Sequence, residues 1–251
     1  MRRLIRLSVI VVSVCFFQSP TTAQAQLRYD VDASGGLIPY DYTGNPEHPG
    51  IYAELIPMIM ERAGIEIESV VLPTKRAVKA LEEGLLDFDF VNPDWFSDNK
   101  SLQGYVFSVP IFAFTESFYR LAGKPSKINS LDDIAGLSVG TVAGYMYVNE
   151  EYFQRIDFAS EKLLVKGLSM ERFDVAIIEQ AAAQFWSKEL GIPIQRIMNN
   201  NAGHLVLRLR AEHIKLLPSI NRAIQSAKND GSIERLMSSY TLHHDDTTIG
   251  R

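Results

Sequence analysis

Cysteine is nearly absent from this chain of 251 residues, which has a single Cys at position 15. Hydrophobic residues make up 46% of the sequence, enough for one or two cores without the disulfides that small secreted domains need. Because Cys15 lies within an N-terminal secretory signal, we expect the mature chain to have no thiol. A lipoprotein would need a small residue just before the cysteine, and Val14 is not small.

Apolar runs long enough to approach a membrane span are absent after the N-terminus. There, three arginines precede an apolar run over residues 7–17, and an Ala-Gln-Ala sequence ends at Ala25. This pattern predicts a signal peptide over residues 1–25, cleaved after Ala25, and a periplasmic mature protein. The alternative is a retained membrane anchor, but the run is shorter than the ~20 residues that a bilayer span needs.

Positive charge is also scarce. The 25 Lys and Arg residues are outnumbered by 30 Asp and Glu residues and form no basic stripe, so we expect no nucleic-acid partner. The catalytic pattern HExxH is absent, and we expect no cofactor. His243, His244, Asp245 and Asp246 could together bind a metal, but we interpret them as part of a frayed tail and expect no metal site.

The chain is organised around one β-branched and aromatic run over residues 105–121, YVFSVPIFAFTESFYRL, interrupted once by Pro110. At ~3.3 Å per residue it could span about 40–55 Å, which is long for one strand of a small sheet. A second extended run, HLVLRL, covers residues 204–209. Two such crossings between two lobes predict a hinge over a cleft, a geometry that captures ligands by closure.

Strand and helix patterns alternate on both sides of the first run. The first half predicts a strand over 27–31, a helix over 51–63, a strand over 66–72, a helix from Pro73 to Gly84 and a strand over 85–91. The second half predicts strands over 137–141, 163–166, 174–178 and 194–198, and helices from about Tyr145 and over 180–190. Helices over 217–228 and 233–240 are expected to pack on the first lobe. The alternation predicts parallel strands with right-handed crossovers.

Six segments occur in one order: IPYDYTGNPEHPGIYAELIPMIMERAG, LPTKRAVKALEEGLLDFDF, YVFSVPIF, LDDIAGLSVGTVAGYMY, FDVAIIEQAAA and INRAIQSAKNDGSIERLMSSY. In this order they resemble the family 3 extracellular solute-binding proteins, which serve amino-acid ABC importers. The resemblance implies an α/β, two-lobed periplasmic binding protein-like II fold. Each lobe is expected to be a mostly parallel sheet flanked by helices, with the ligand cleft between the lobes. The expected lobes are residues 26–115 with 208–251, and residues 116–207.

The resemblance also implies ligand contacts in the first lobe. Relatives stack aromatic residues of the first loop on the ligand, which points to Tyr40 and Tyr42, although one of them could serve only to pack the loop. After the third strand, relatives present backbone groups, then a Ser or Thr, then an Arg that pairs with a ligand carboxylate.

The corresponding stretch of this chain is NPDWFSDNK, and it departs from that pattern. Asn92, Asp94 and Trp95 are candidate contacts, with Asp94 near the hydroxyl position. Lys100, or the asparagine before it, stands where the arginine would be, and an ammonium does not fork onto a carboxylate as a guanidinium does. Arg76 on the neighbouring helix could supply the cation, or could be an ordinary solvated residue. The usual mode of amino-acid binding is therefore in question.

In the second lobe, the segment GTVAGYMY resembles the turn whose backbone N–H groups meet an anion at a helix N-terminus. Thr141, Gly144 and Tyr145 are the candidates there, the alternative being a plain strand-to-helix turn. Glu179 corresponds to the family's acidic residue that receives the ligand's amino group. It follows a buried strand, where sites in such sheets lie, but it could also be an acid favoured by a helix start.

Together, Glu179, Asp94 and the two tyrosines favour an acidic, aromatic cleft and a cationic or amine-bearing ligand. The leading hypothesis is a monomeric, non-catalytic binding protein that closes on a small molecule and delivers it to an ABC importer. A dehydratase-like enzyme on the same scaffold is one alternative, although no carboxylate occurs over residues 180–183, after the family acid. A sensor subunit that presents its ligand to a membrane receptor is another.

Overall fold

The computed structural model describes residues 26–32, 39–40, 49–96, 102–125 and 127–242. Several predictions lie outside these residues: the signal peptide over 1–25, the candidate contacts Tyr42 and Lys100, and the histidine-containing tail.

Strands and helices alternate over much of the described chain. In order they are β1 Leu27–Asp32, α1 Ile51–Ala63, β2 Ile67–Leu72, α2 Thr74–Glu82, β3 Phe88–Val91, β4 Tyr105–Phe107, β5 Phe112–Leu121, β6 Ser138–Val142, β7 Gln154–Phe158, α3 Glu161–Ser169, β8 Val175–Glu179, α4 Gln180–Leu190, β9 Ile194–Arg210, α5 Leu217–Asn229 and α6 Ser232–Leu242. Short 3₁₀ turns lie at Pro93–Trp95, Leu131–Ile134, Glu150–Tyr152 and Ala211–Leu216. None of the described helices has both the length and the apolar character needed to cross a bilayer.

The two long extended runs of the sequence lie side by side. β5 and β9 pair antiparallel, from Phe112 opposite Leu205 to Leu121 opposite Ile194. The first run is divided into β4 and β5 around Pro110, which has no N–H to donate to a ladder. The strands predicted over 194–198 and 204–209 are parts of β9, one strand of 17 residues.

The ends of β5 enter different hydrophobic cores. Phe112 and Phe114 pack in a core that also contains residues of α1, α5 and β9. Phe118 and Tyr119 pack in two cores built from β6, β8 and the helices α3 and α4. The change of core falls where the β5–β9 register shifts, after Glu116. This is the two-lobed arrangement expected from the sequence, with β5 and β9 running between the lobes.

Parallel pairing is found away from these two strands. β1 pairs with β2, and β6 pairs with both β7 and β8, all in parallel. The antiparallel pairs of the described chain all involve β5 or β9. Seven strands share one sheet, in the order β3-β9-β5-β8-β6-β7 with β4 also on β9, while β1 and β2 pair separately.

The C-terminal helices α5 and α6 return to α1, as predicted. The Arg62 guanidinium of α1 lies 2.7 Å from the Asp230 carboxylate between α5 and α6. The Tyr240 hydroxyl of α6 accepts a hydrogen bond from the Gly50 N–H at 2.9 Å, just before α1 begins. Residues from all three helices share the core of the first lobe.

The strand predicted over residues 163–166 is wrong, because this segment lies in α3. Ser160 Oγ accepts a hydrogen bond from the Leu163 N–H at 3.4 Å and caps the helix. Leu164 and Leu168 then fall on one buried face. The strand in this region is β7, which precedes α3 and was not predicted. A short apolar run does not by itself distinguish a buried helix turn from a strand.

The helix predicted from about Tyr145 is also wrong, because the chain there is irregular up to a 3₁₀ turn. The Tyr147 hydroxyl accepts the Val142 N–H at 2.9 Å, so the ring folds back on the strand end. Arg155 donates to the carbonyl oxygens of Val142 at 3.0 Å and Tyr145 at 2.9 Å. With no helix start at this turn, the predicted anion site at a helix N-terminus is not formed.

Candidate functional site

A cavity lies between the two lobes, at the side where β3, β5 and β8 meet α3 and α4. Its lining combines aromatic walls with several carboxyl groups. The lining residues are Tyr29, Asp30, Tyr40, Tyr52, Ile56, Ala77, Val78, Asp89, Phe90, Val91, Trp95, Phe114, Glu116, Gly144, Tyr145, Met146, Tyr147, Glu161, Ile177, Ile178, Glu179, Ala182 and Arg208.

The aromatic wall of the first lobe is a packed cluster of rings. Tyr40 lies 5.4 Å from Tyr52 and 6.2 Å from Phe114, measured between ring centroids. Tyr52 stacks on Phe90 at 5.1 Å, and Trp95 meets Phe114 edge-on at 5.3 Å. Since such arrangements fix ring positions, the wall presents rigid π-faces and apolar surface to the cavity.

Glu116 of β5 is a buried carboxyl group at the base of this wall, with 3% of its surface exposed. Burial, together with the nearby carboxyls of Glu179 and Glu161, raises its pKa to about 8. The Trp95 indole N–H donates to Glu116 Oε2 at 3.0 Å and partly opposes this rise. The group is therefore largely protonated at neutral pH in the empty protein.

Glu179 ends β8 and caps α4. Its Oε2 accepts hydrogen bonds from the backbone N–H groups of Ala181 at 2.7 Å and Ala182 at 3.0 Å. Burial raises its pKa to about 7, although these bonds and one from the Tyr40 hydroxyl act in the opposite direction. The residue is thus a helix cap, as the simpler interpretation of the sequence had it, and also a carboxyl group lining the cavity.

Two cross-strand pairs place charged groups in the same cavity. Glu116 lies directly opposite Glu179 in the β5–β8 pair, so their side chains share one face of the sheet. Asp89 lies directly opposite Arg208 in the β3–β9 pair. The Arg208 Nε donates to Asp89 Oδ1 at 2.9 Å, and Nη2 donates to Oδ2.

Arg208 is the one basic side chain among the described lining residues. Its guanidinium lies 5.1 Å from the Phe96 ring centroid and 4.8 Å from that of Tyr105. Burial opposes its charge, but the Asp89 carboxylate outweighs this and keeps the pKa of Arg208 above its ordinary value. The Nε and Nη2 atoms of Arg208 already bind the Asp89 carboxylate. By contrast, no basic side chain of the described lining faces Glu116 and Glu179.

Five of the residues predicted to bind ligand line this cavity: Tyr40, Trp95, Gly144, Tyr145 and Glu179. Tyr40 does so as part of the packed ring cluster and is itself buried, with 3% exposed. Trp95 lines the cavity from the 3₁₀ turn that follows β3, and its ring meets that of Phe114 edge-on.

Four other predicted contacts lie away from the lining. Arg76 and Asp94 are exposed, so the structure supports neither as the cation or acid of the cleft. Asn92 is buried, its Oδ1 accepting the Asp94 N–H at 3.2 Å to cap the 3₁₀ turn. Thr141 is fully buried and donates to Asp157 Oδ1 at 2.7 Å. Asn92 and Thr141 thus each make a structural hydrogen bond.

Sequence reasoning missed Glu116, Glu161, Asp89 and Arg208. Glu116 carried a usable signal, because it is a lone carboxyl within a run of β-branched and aromatic residues. A charge inside a strand of that composition is costly unless it has a partner or a function. Asp89 likewise lies between two phenylalanines and Arg208 between two leucines, but their pairing depends on a strand register that spans 119 positions.

A second acidic cluster lies outside the cavity. The ligand atoms of Asp87, Glu212 and His213 lie within 4.8 Å of one another. Two guanidinium groups already neutralise it, since Arg28 lies 3.6 Å from Asp87 and Arg210 lies 3.1 Å from Glu212. The cluster is best described as an ion-pair network that joins β1 to the end of β9.

Comparisons with known proteins agree with this architecture. The model of the family described as bacterial extracellular solute-binding proteins, family 3, matches residues 29–243. The arginine-binding extracellular protein ArtP of Bacillus subtilis (strain 168) is 24% identical, over 90% of this chain and 90% of its own length. A mutant of ArgBP from T. maritima is similar in structure, with a TM-score of 0.69 and 16% identity over 85% of this chain and 95% of that one. AncCDT-1, an ancestral amino acid-binding protein and a precursor of cyclohexadienyl dehydratase, has a TM-score of 0.67 and 17% identity over 86% of this chain and 95% of its own.

Proposed function

The chain belongs to the family 3 bacterial extracellular solute-binding proteins, and we propose that it captures a small organic cation of the amino-acid or amine class. The proposed lobes, residues 26–115 with 208–251 and residues 116–207, close over the ligand and leave it chemically unchanged. The mature protein acts as a monomer in the periplasm, after removal of residues 1–25, and delivers its ligand to an ABC importer. A membrane sensor is the alternative partner.

One observation carries the choice of a cation. Glu116 and Glu179 face the same cavity with no basic side chain beside them in its described lining, and both have a pKa raised towards neutrality by burial. A cationic ligand would supply the missing charge and favour their ionised forms. The rings of Tyr40, Tyr52 and Trp95 would add apolar and cation–π contact.

The state of Arg208 supports the same choice. In a bidentate pair with Asp89, its Nε and Nη2 atoms and its charge are already matched by a carboxylate. An amino acid could still bind through its cationic groups, but an anionic ligand would have to displace Asp89 or face the carboxyl groups across the cavity. A class of ligands with net positive charge therefore fits this cavity better than an acidic amino acid.

A thermal-shift experiment on the mature protein tests the proposal. The panel is L-arginine, agmatine (which is arginine without its carboxylate) and putrescine, with L-glutamate and glucose as matched comparisons. A cation at 100-fold excess over its dissociation constant stabilises the folded form by about 2.7 kcal/mol. That corresponds to a midpoint rise of roughly 5–10 °C for a chain of this size. A rise with L-glutamate or glucose, and none with any cation, would overturn the proposal.

The variant Glu179→Gln separates ligand recognition from helix capping. Its amide oxygen can still accept the Ala181 and Ala182 N–H groups, so stability should change by less than about 1 kcal/mol. Loss of the charge should weaken binding of the active cation roughly 10- to 100-fold. Glu189→Gln, at an exposed position of the same helix, is the control and should bind like the unmodified protein. Unchanged affinity in Glu179→Gln would mean that the residue is only a cap.

Acid–base catalysis is a second candidate, because neighbouring groups with pKa values of about 8 and about 7 are what a general acid and base at neutral pH require. The similar fold of AncCDT-1, a binding protein described as a precursor of cyclohexadienyl dehydratase, supports considering an enzyme on this scaffold. Mass spectrometry of each cation after prolonged incubation with the protein decides between them. Quantitative recovery of the unchanged compound supports binding alone.

A further inference from the structure

Glu116 occupies a special position in the strand that links the two lobes. It is the last residue of β5 before the register of the β5–β9 pair shifts, and the hydrophobic core changes between Phe114 and Phe118. A register shift in a ladder bends the strand locally and re-aims the side chain beside it. The Glu116 carboxyl group thus lies at the point of β5 where a movement of one lobe relative to the other would change its position.

The carboxyl groups of Glu116 and Glu179 are close enough to share one cation. Residues directly opposite in an antiparallel pair have Cβ atoms about 4.5–5.5 Å apart, and Glu116 is opposite Glu179. Two like charges so placed repel each other unless a proton or a cation lies between them. The geometry therefore favours a bridging positive group over two separate ones.

Hydrogen bonds hold Oε2 of each carboxyl group, and the Tyr40 hydroxyl also bonds to Glu179. Trp95 donates to Oε2 of Glu116, and the α4 backbone donates to Oε2 of Glu179. No group in the described part of the chain is hydrogen-bonded to Oε1 of Glu116. The indole and the helix start fix the two side chains and leave an acceptor of Glu116 to face the cavity, which is the arrangement that a multi-donor cation needs.

We propose that Glu116 is a ligand-binding residue, and that one ammonium or guanidinium group of the ligand bridges Glu116 and Glu179 and displaces protons from them as it binds. This inference rests on the proposed function and specifies it. Capture would then be linked to pH, with the cation favoured as pH rises and protons favoured as it falls.

The groups around Glu116 determine how many protons leave. Glu179 faces it from β8, Glu161 from α3, Tyr147 from the irregular segment after β6, and Trp95 from the 3₁₀ turn after β3. None of these is basic, and Tyr147 stays neutral because burial raises its pKa well above the ordinary value. At pH 7, Glu116 is mostly protonated and Glu179 about half so, and capture of one cation should release about one proton.

Isothermal titration in two buffers tests the inference. The titrant is whichever of L-arginine, agmatine or putrescine binds the unmodified protein most tightly, and phosphate and Tris differ widely in ionisation enthalpy. The unmodified protein should release about one proton per cation at pH 7. Glu116→Gln should release markedly less and bind roughly 10- to 100-fold more weakly at pH 8. Glu189→Gln should match the unmodified protein in both respects.

Each outcome decides something. If Glu116→Gln binds the cation as tightly as the unmodified protein and releases the same number of protons, the inference is wrong although the proposed function stands. If no cation of the panel binds the unmodified protein, both the inference about Glu116 and the proposed function are wrong. Thermal unfolding of each empty variant identifies a misfolded protein, and proton release is a readout that a purely structural role of Glu116 would leave unchanged.

Discussion

Two cross-strand pairs line one cavity, and they differ in the charges that they combine. Asp89 and Arg208 are opposite charges on β3 and β9, whereas Glu116 and Glu179 are like groups on β5 and β8. Opposite charges across a strand pair stabilise it modestly, and like charges destabilise it. The first pair is complete without a ligand. At neutral pH the second ionises fully only when a cation joins it, so the difference separates a structural pair from a recognition pair.

The surroundings of the two pairs reinforce this contrast. Arg208 is held between aromatic rings and by both oxygens of Asp89, with 5% of the residue exposed. Glu116 is equally buried, but its partner has the same sign, and the stable state of the empty site is a protonated one. A buried ionisable group in this cavity is thus either charged and paired within the chain, as Arg208 is, or neutral at pH 7, as protonated Glu116 is.

Breaking the complete pair should have the largest effect. Asp89→Asn keeps the shape of the side chain but leaves the Arg208 charge buried without its partner, and we expect a loss of about 4 kcal/mol in the free energy of unfolding. Urea-induced unfolding at pH 7 measures it. Asp94→Asn, an exposed aspartate five positions on, is the matched control and should change stability by less than about 0.5 kcal/mol. Equal stability of the two variants would refute the idea of a structural pair.

Replacing a carboxyl group by an amide in the other pair should have the opposite effect on the free energy of unfolding. Glu116→Gln removes a carboxyl that unfolding lets ionise, and we expect the empty protein to gain on the order of 2–3 kcal/mol at pH 8. Thermal or urea unfolding without ligand measures the gain. A loss of stability at pH 8 would mean that the Glu116 charge has a partner in the protein.

The pH dependence sharpens this test. Below about pH 4.5 the Glu116 carboxyl is neutral in the folded and the unfolded chain, so its burial does not lower the free energy of unfolding through ionisation. Between about 4.5 and about 8 the unfolded chain loses the proton while the folded chain retains it, so stability falls as pH rises. The unmodified protein should therefore lose more stability from pH 5 to pH 8 than Glu116→Gln, and the two should converge near pH 5.

The smallest expected effect concerns the hydrogen bond from Tyr40 to Glu179. Tyr40→Phe removes the hydroxyl but keeps the ring stacked on Phe112, and should cost about 1 kcal/mol at pH 8, where Glu179 is ionised. The cost should shrink at pH 5, because a neutral carboxyl gains less from the donor. Chemical unfolding at the two pH values checks it, with Tyr152→Phe at a 40% exposed position as the control. A cost independent of pH would show that the hydroxyl serves packing alone.

Prediction from sequence succeeded where the pattern was long. The run over residues 105–121 and the return over 204–209 indicated two extended crossings between the lobes, because β-branched segments of that length favour strands, and the structure pairs them. Helix α4 was predicted to end before Gly191, and in the structure this residue has a left-handed φ of 63°, which glycine adopts readily. These features are local, and local sequence encodes them.

Prediction failed where two distant segments had to meet. The segment over residues 163–166 became a helix because Leu164 and Leu168 pack against strands formed elsewhere in the chain. The turn after β6 has no helix start because Tyr147 and Arg155 bond back to the strand end. Arg76 and Asp94, which the family resemblance suggested as contacts, are exposed and lie outside the described cavity lining, so their role in binding stays a prediction.

The sequence by itself determined the α/β character of the chain, the long strands between the lobes, the aromatic content of the cleft and the place of Glu179 at a strand end. Only the tertiary structure decided which charges neutralise one another. Strand register put Arg208 opposite Asp89 and Glu116 opposite Glu179, and no local pattern specifies such pairings. The charge available to a ligand depends on which buried partners remain after folding, and this is set by contacts between segments far apart in the sequence.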